Sequence, residues 1–348
     1  MSKKEPATVE LNPDFEDIML QALRPKNAPE GCHFEKEPKP FSLFCMADLH
    51  GDGEELGYLT EFYNHYEKYF NGALCVGDII CDSALSDFTY WGKTPGHEKV
   101  MIAIGNHDTL RDHKGWVVPG VWEYQLSMRE AYDRYQKDFI AGWDVVYEEG
   151  KTYYYKDYPE NRVKLIVLDC MLNPEKEKEA DDEQFDWFKK ALADAKEKDL
   201  SVLAAYHYQC PNVVKIDCNF TDIDKLEHFE TLESMRYRQA VDDFMSEGGK
   251  FVCWLCGHLH WEIFGYCRDF PKQLIRCICG TGRWSGEATG FMTRKNGRRS
   301  RDAADVAVVD TSTETLRIVR VGANMDSYMR PRNGITINYK TFEIISEF

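Results

Sequence analysis

Polar residues of the types that bind metal ions stand directly after several apolar stretches of this chain. They include five of the ten histidines, three aspartates and one asparagine. Because each stretch has the pattern of a buried strand, these side chains should lie at the carboxyl ends of strands, where open α/β sheets bind ligands. In chain order the segments are Asp48-Leu49-His50, Gly77-Asp78, Gly105-Asn106-His107-Asp108, His207 and Gly257-His258-Leu259-His260.

The residue types at these strand ends favour a metal centre. Carboxylate, amide and imidazole groups without thiolates suit Mn, Fe or Zn. In Asp-x-His and His-x-His, alternate residues can point the same way and reach one site, and a carboxylate such as Asp78 can bridge two cations. Glycines before Asp78, Asn106 and His258 permit tight turns and a close approach of the backbone to a ligand.

Alternating strands and helices must position these motifs. Buried strands are predicted at FSLFCMA, GALCVG, KVMIAIG, KLIVLD, SVLAAY and KFVCWLC. Helices are predicted over about 54–70, 123–141, 181–198 and 231–247. Two further strands, DVAVVD and TLRIVRVG, are joined by TSTE as a hairpin. This order predicts a layered α/β fold with two sheets.

Taken in order, the motifs resemble the signature of the calcineurin-like metallophosphoesterase superfamily, and the resemblance covers residues 41 to about 282. It implies an α/β fold with two facing mixed β-sheets in a four-layer α/β/β/α sandwich. The metal site would lie at the carboxyl-terminal ends of the strands.

The resemblance also implies a role for each matching residue. One cation would be held by Asp48, His50 and His260. The other would be held by Asn106, His207 and His258, and Asp78 would bridge the two. His107 would not bind metal but would act as the general acid that protonates the leaving alkoxide, a role that suits a histidine near neutral pH.

The activity implied by the resemblance is hydrolysis of a phosphate-ester substrate with two divalent cations, Mn, Fe or Zn, with Ni also compatible. The cations would bind the phosphoryl oxygens and lower the pKa of a bridging water, whose hydroxide attacks phosphorus. We favour a phosphodiester of a small or medium organic phosphate. A DNA-processing nuclease and a non-catalytic scaffold of the same fold are the alternatives. Such scaffolds usually lose metal ligands or the acid histidine, whereas this chain keeps all seven candidate ligands and His107.

One departure from the pattern concerns the partner of His107. In protein Ser/Thr phosphatases of this superfamily, the Gly-Asp motif continues to a second aspartate that pairs with the acid histidine. Here that position is Cys81, so the partner is either Asp82 or Asp108. The missing aspartate also disfavours a phosphoprotein phosphatase.

The composition limits the partners of the chain. Its 348 residues carry 43 Lys and Arg against 59 Asp and Glu, a formal net charge of −16. Such a surface repels nucleic-acid phosphates, which disfavours nucleic acid as a partner. The one basic island, residues 294–301, surrounds the turn dipeptide Asn296-Gly297 and is interpreted as a solvated loop tip or an anion-contacting loop.

Location and domain organisation follow from the apolar and cysteine patterns. No apolar run approaches the roughly 18 residues of a spanning helix, so no membrane association is expected. The N-terminus lacks the apolar core of a secretion signal, so we predict a cytoplasmic protein whose twelve cysteines are reduced.

We predict an N-terminal arm over 1–38, a catalytic domain over 39–285 and a strand-rich C-terminal extension over 286–348 that completes the second sheet.

Overall fold

Two mixed β-sheets face each other in the computed structural model of this chain. It describes residues 15–23, 39–50, 59, 62–79, 99–109, 127–140, 142–170, 178–208, 213–216, 232–259, 263–278, 303–322 and 334–347. The seven strands of the first sheet are β1 (Phe41–Met46), β2 (Gly72–Val76), β3 (Val100–Ala103), β12 (Ala303–Asp310), β13 (Thr315–Gly322), β14 (Gly334–Asn338) and β15 (Ile344–Glu347). Their order across the sheet is β15-β14-β13-β12-β1-β2-β3.

The second sheet has eight strands. They are β4 (Val146–Tyr147), β5 (Tyr154–Tyr158), β6 (Val163–Val167), β7 (Ser201–Ala205), β8 (Val213–Lys215), β9 (Lys250–Cys256), β10 (Ile263–Cys267) and β11 (Phe270–Cys277). Their order is β4-β5-β6-β7-β9-β11-β10-β8. Every strand predicted from the apolar stretches is present, and the two-sheet α/β fold is confirmed.

Both faces of the central strands are covered, which explains why their sequences are apolar throughout. In β1, Leu43 and Cys45 point into the core between the sheets, whereas Phe44 and Met46 pack outwards. Because side chains alternate along a strand, only a continuous apolar run fills both faces.

The parallel strands bring the predicted motifs to one edge. Strands β1, β2 and β3 run parallel, as do β6, β7, β9 and β11. We call the edge at which β1, β2, β3, β7 and β9 end the carboxyl edge. All five motifs follow these strands.

Helices cover the outer faces of the sheets. They include α1 (Phe15–Leu23), α2 (Asn106–Thr109), α3 (Met128–Ala131), α4 (Lys137–Ile140), α5 (Lys178–Glu197) and α6 (Leu232–Ser246), with a π-helical turn (Tyr132–Gln136) between α3 and α4. Residues 62–66 are also helical. The apolar stripe of α5, with Phe188, Leu192 and Ala195, is buried as its spacing predicts. A capping box between Ser127 and Glu130 starts α3.

The two ends of the described chain pack on the central sheets. Phe15 of α1 contacts the rings of Phe62 and Tyr66 at centroid distances of 4.9 and 4.6 Å. At the other end, β12 pairs antiparallel with β1, so β12–β15 extend the sheet that contains β1–β3. The boundaries at residues 38 and 285 stay a prediction, and the basic island lies outside the described residues.

Two polar contacts join the sheets across the core. Arg276 of β11 and Asp305 of β12 form a fully buried bidentate ion pair with N–O distances of 2.7 and 3.0 Å. The hydroxyl of Tyr154 on β5 both donates to the carbonyl and accepts from the N–H of Ile102, on edge strand β3. The contact of Tyr154 holds strand β3, and Asn106 and His107 follow directly after this strand.

Two further observations concern the cysteines and the helices. The cysteines of the described residues are buried and form no disulfides. Neither α5 nor any other helix in the described ranges combines the length and apolar composition needed to cross a membrane.

Candidate metal centre

The turns at the carboxyl edge hold four predicted ligands in an unusual backbone conformation. Asp48, His50, Asp78 and His258 have φ angles of 55°, 47°, 56° and 71°. Few non-glycine residues adopt this left-handed conformation, and it persists only where the surroundings hold it in place. Such strain concentrates at functional sites, because it points side chains in directions that regular strands do not allow.

Two of the predicted glycines lie directly against candidate ligands. Gly77 has a φ of 87°, and a Cβ atom there would overlap the ring of His207. A Cβ atom on Gly105 would overlap the carboxylate and backbone nitrogen of Asp78. No side chain fits at either position without displacing a candidate ligand.

Ligand atoms from both sheets converge at one point of this edge. The Oδ1 atom of Asn106 lies 2.9 Å from Nδ1 of His258 and 3.1 Å from Nε2 of His207. The same Nε2 atom lies 3.2 Å from Oδ2 of Asp78. Asp78 and Asn106 come from the first sheet, His207 and His258 from the second. This is the set of four that the sequence assigns to one cation.

A hydrogen bond on the side away from the other ligands orients the ring of His207. Its Nδ1 lies 2.6 Å from the carbonyl oxygen of Val76, which makes Nδ1 the protonated donor. Its Nε2 atom therefore faces Asp78 and Asn106. A histidine that binds metal through one nitrogen usually donates from the other in this way.

The second predicted set shares Asp78 with the first. Nε2 of His50 lies 3.8 Å from Oδ2 of Asp78, which places this oxygen between the two sets. Asp48 is buried beside them, and its Oδ1 accepts the backbone N–H of His258 at 2.8 Å. His260, the remaining predicted ligand, lies outside the described residues.

Burial and mutual contact shift the pKa values of this cluster. Burial raises the pKa of Asp48 to about 8, although the charge on His207 opposes the shift. Burial acts in the same direction on Asp78, but His207 outweighs it and lowers the pKa of Asp78. Burial would lower the pKa of His207, yet Asp78 raises it to about 9. The pair thus holds a proton that a cation bound there would replace.

His107 lies beside these residues and is partly exposed. Its backbone N–H donates to Oδ1 of Asp78 at 2.8 Å, and its ring stands edge-on to His50 at a centroid distance of 4.6 Å. His50, Asp78 and His107 offer ligand atoms that all lie within 4.8 Å of one another. The geometry therefore allows His107 to contact either a bound cation or a substrate.

Asp108 has a role that the sequence did not reveal. Its Oδ2 accepts the N–H groups of Asp78 and Gly105, and its Oδ1 accepts that of Ile79, each at 2.9 Å. This carboxylate fixes the turn after β2 against the turn after β3. It was one of two candidates to orient His107; the other, Asp82, lies outside the described residues.

The donor set fits divalent cations. The two convergent groups contain only oxygen and nitrogen ligand atoms, which Mn, Fe and Zn accept. One group is His50, Asp78 and His107, and the other is Asp78, His207 and His258. Buried carboxylates are costly unless they are paired or bind metal, so the concentration of Asp48 and Asp78 favours bound cations.

Comparisons with known proteins agree with this arrangement. The family model for the calcineurin-like phosphoesterase matches residues 41–262, more than half of the chain. No curated protein sequence matches this chain. A dimetal phosphatase from Danio rerio has a similar fold, with a TM-score of 0.54 and 13% identity over 86% of this chain and 99% of that one.

Two other solved structures are more distant. GAP50, the anchor in the inner membrane complex of Plasmodium, has a TM-score of 0.45 and 11% identity over 89% of this chain and 88% of its own. A predicted phosphoesterase from Streptococcus pneumoniae has a TM-score of 0.32 and 12% identity over 85% and 98%.

Proposed function

Since this chain belongs to the calcineurin-like phosphoesterase family, hydrolases that act on phosphoester bonds with a dinuclear metal centre, we propose that it hydrolyses a phosphodiester of a small or medium organic phosphate. The observation that carries the proposal is the convergence of Asp78, Asn106, His207 and His258 from two sheets beside a partly exposed His107.

In the proposed reaction, residues of the chain hold the two cations and transfer a proton. Asp48, His50 and His260 would hold one cation, Asn106, His207 and His258 would hold the other, and Asp78 would contact both. When bound, two divalent cations, Mn, Fe, Zn or Ni, supply positive charge to the phosphoryl oxygens and lower the pKa of the attacking water.

His107 completes the reaction as the general acid. Water adds to phosphorus, the bond to the leaving oxygen breaks, and His107 gives its proton to the departing alkoxide. Two observations support this role. The backbone of His107 is held by Asp78, and its ring is partly exposed whereas His50 and His207 are buried, so a substrate can reach it.

Away from the site, where the field of bound cations does not dominate, the charge of the chain favours the approach of a diester over a monoester. A phosphate monoester carries a charge of about −1.5 to −2 at pH 7, whereas a diester carries one negative charge. The chain has a formal net charge of −16, so it repels a monoester more strongly. The same charge disfavours DNA as the substrate, and the cytoplasmic location remains a prediction.

The test is a hydrolysis assay on chain stripped of metal and reloaded with Mn, Fe, Zn or Ni. Bis-p-nitrophenyl phosphate is compared with p-nitrophenyl phosphate, with Asp78→Asn as the matched control. We expect metal-dependent cleavage with a higher kcat/KM for the diester and none in the control. Preference for the monoester would contradict the diester assignment. Inactivity on both with two metals bound would indicate a scaffold, and cleavage of DNA that falls steeply with salt would indicate a nuclease.

A further inference from the structure

Tyr208 directly follows His207 at the carboxyl edge, and its ring rests on a second candidate ligand. Its centroid lies 4.5 Å from that of His258, with the two planes at 73°. It lies 5.8 Å from the ring of His207. The side chain is partly exposed. Neither the motif pattern nor the chemistry proposed above gives this residue a role.

The two histidines of this set are oriented by different means. The ring of His207 is set by the bond from its Nδ1 to the carbonyl of Val76. The backbone of His258 is fixed by its N–H bond to Asp48 and by the tight turn in which Leu259 donates to the carbonyl of Gly257. These backbone bonds act on the main chain of His258, whereas Tyr208 contacts its ring directly.

The rotation of this ring decides which ring nitrogen of His258 faces the site. In the structure Nδ1 points at Oδ1 of Asn106, 2.9 Å away. A cation bound by both atoms would replace that hydrogen bond, so it cannot hold the ring in the loaded protein. An edge-to-face aromatic contact is a preferred geometry, and unlike the bond to Asn106 it is not a hydrogen bond to Nδ1 that a cation would replace.

We propose that Tyr208 is a positioning residue that holds the His258 imidazole with Nδ1 towards the cation shared with Asn106 and His207. The inference rests on the proposed function, because it requires that these residues bind metal. Loss of a residue that orients a metal ligand typically weakens metal binding about 10- to 100-fold, and we expect a loss of this size when Tyr208 is replaced. The effect should fall on one of the two cations.

The test measures metal binding by the full chain, apart from activity. Metal-free wild type, Tyr208→Phe, Tyr208→Leu and Tyr208→Met are titrated with Mn²⁺ in competition with a fluorescent chelator. Tyr266→Leu is the control. Tyr266 lies in β10, and its ring is also partly exposed and packs on Phe342. Circular dichroism checks the fold of each variant.

We expect two equivalents of Mn²⁺ at wild-type affinity in Tyr208→Phe and Tyr266→Leu. In Tyr208→Leu and Tyr208→Met one equivalent should bind about 10- to 100-fold more weakly, and excess Mn²⁺ should restore hydrolysis. Wild-type affinity for both ions in these two variants would overturn the positioning role and leave the proposed function intact. Failure of both to fold would make Tyr208 a folding residue and also overturn the inference. Wild type that binds fewer than two ions would overturn the proposed function itself.

Discussion

Two clusters of buried charge lie at opposite ends of β6, and they are balanced in different ways. At its amino-terminal end, the fully buried ammonium of Lys164 contacts Asp157 at 2.5 Å and Asp194 at 2.8 Å. Lys198 contacts the same two carboxylates at 2.8 and 2.9 Å. We call these four residues the Lys164 network. Its two cations and two carboxylates cancel within the chain.

The carboxyl edge is balanced by bound protons. Burial would lower the pKa of His207, but its partner Asp78 raises it to about 9, and burial raises the pKa of Asp48 to about 8. Buried charge that lysines of the chain neutralise holds elements together, whereas buried carboxylates that are neutralised by exchangeable protons mark a place for an ion.

The largest expected effect is that of Asp78→Asn on metal binding. The variant keeps the oxygen that accepts the N–H of His107 but loses the charge between the two sets of ligands. We expect both cations to bind more than about 100-fold more weakly, because loss of a direct ligand exceeds the loss of about 10- to 100-fold caused by removing a residue that only contacts a ligand. Hydrolysis should fall to the metal-free level. Elemental analysis measures the metal content, and chelator competition measures the affinity. Two equivalents at wild-type affinity would refute the bridging role.

His107→Gln should separate proton transfer from metal binding. We expect kcat to fall about 10²- to 10⁴-fold, because the general acid is lost, while two equivalents of metal remain. Turnover and metal content are measured on the same sample. If metal and activity were lost together, His107 would be a ligand, as its closeness to His50 and Asp78 also allows.

Lys164→Met should affect stability and leave the carboxyl edge unchanged. Removing the buried ammonium leaves Asp157 and Asp194 with Lys198 alone, and both carboxylates are partly exposed. We expect a loss of about 3 kcal/mol in the free energy of unfolding, at the lower end for a broken buried pair. Urea unfolding measures the change, and metal content serves as the control. A drop in metal content would show that the two regions are coupled.

The smallest expected effect is the pH dependence of the Lys164 network. Burial would raise the pKa of Asp194, but hydrogen bonds from Lys164 and Lys198 lower it below 3.8. Its contribution to stability is therefore complete above 3.8 and is lost as the pH falls through the lower folded value. The difference in unfolding free energy between wild type and Asp194→Asn should shrink below pH 3.8. A difference that stays constant as the pH falls from above 3.8 to the acid unfolding transition would contradict this.

Much of the fold and of the site was predictable, because local patterns encode it. Apolar runs such as FSLFCM and KFVCWLC identify strands that are buried on both faces, and the stripe of α5 identifies a helix. The strand-end motifs then follow from parallel topology. Lys164 was not predictable as a buried residue, since a lysine within a strand gives no sign that Asp194, 30 positions later, will cover it.

By itself, the sequence determined which residues stand at the strand ends and in which order. These are properties of neighbours in the chain. The tertiary structure alone decided that Asp108 holds the turn of Asp78, 30 positions earlier, and that Tyr208 rests on His258. Such contacts depend on how two sheets are brought face to face, because their hydrogen bonds and ring packing join segments that meet only after the chain has folded.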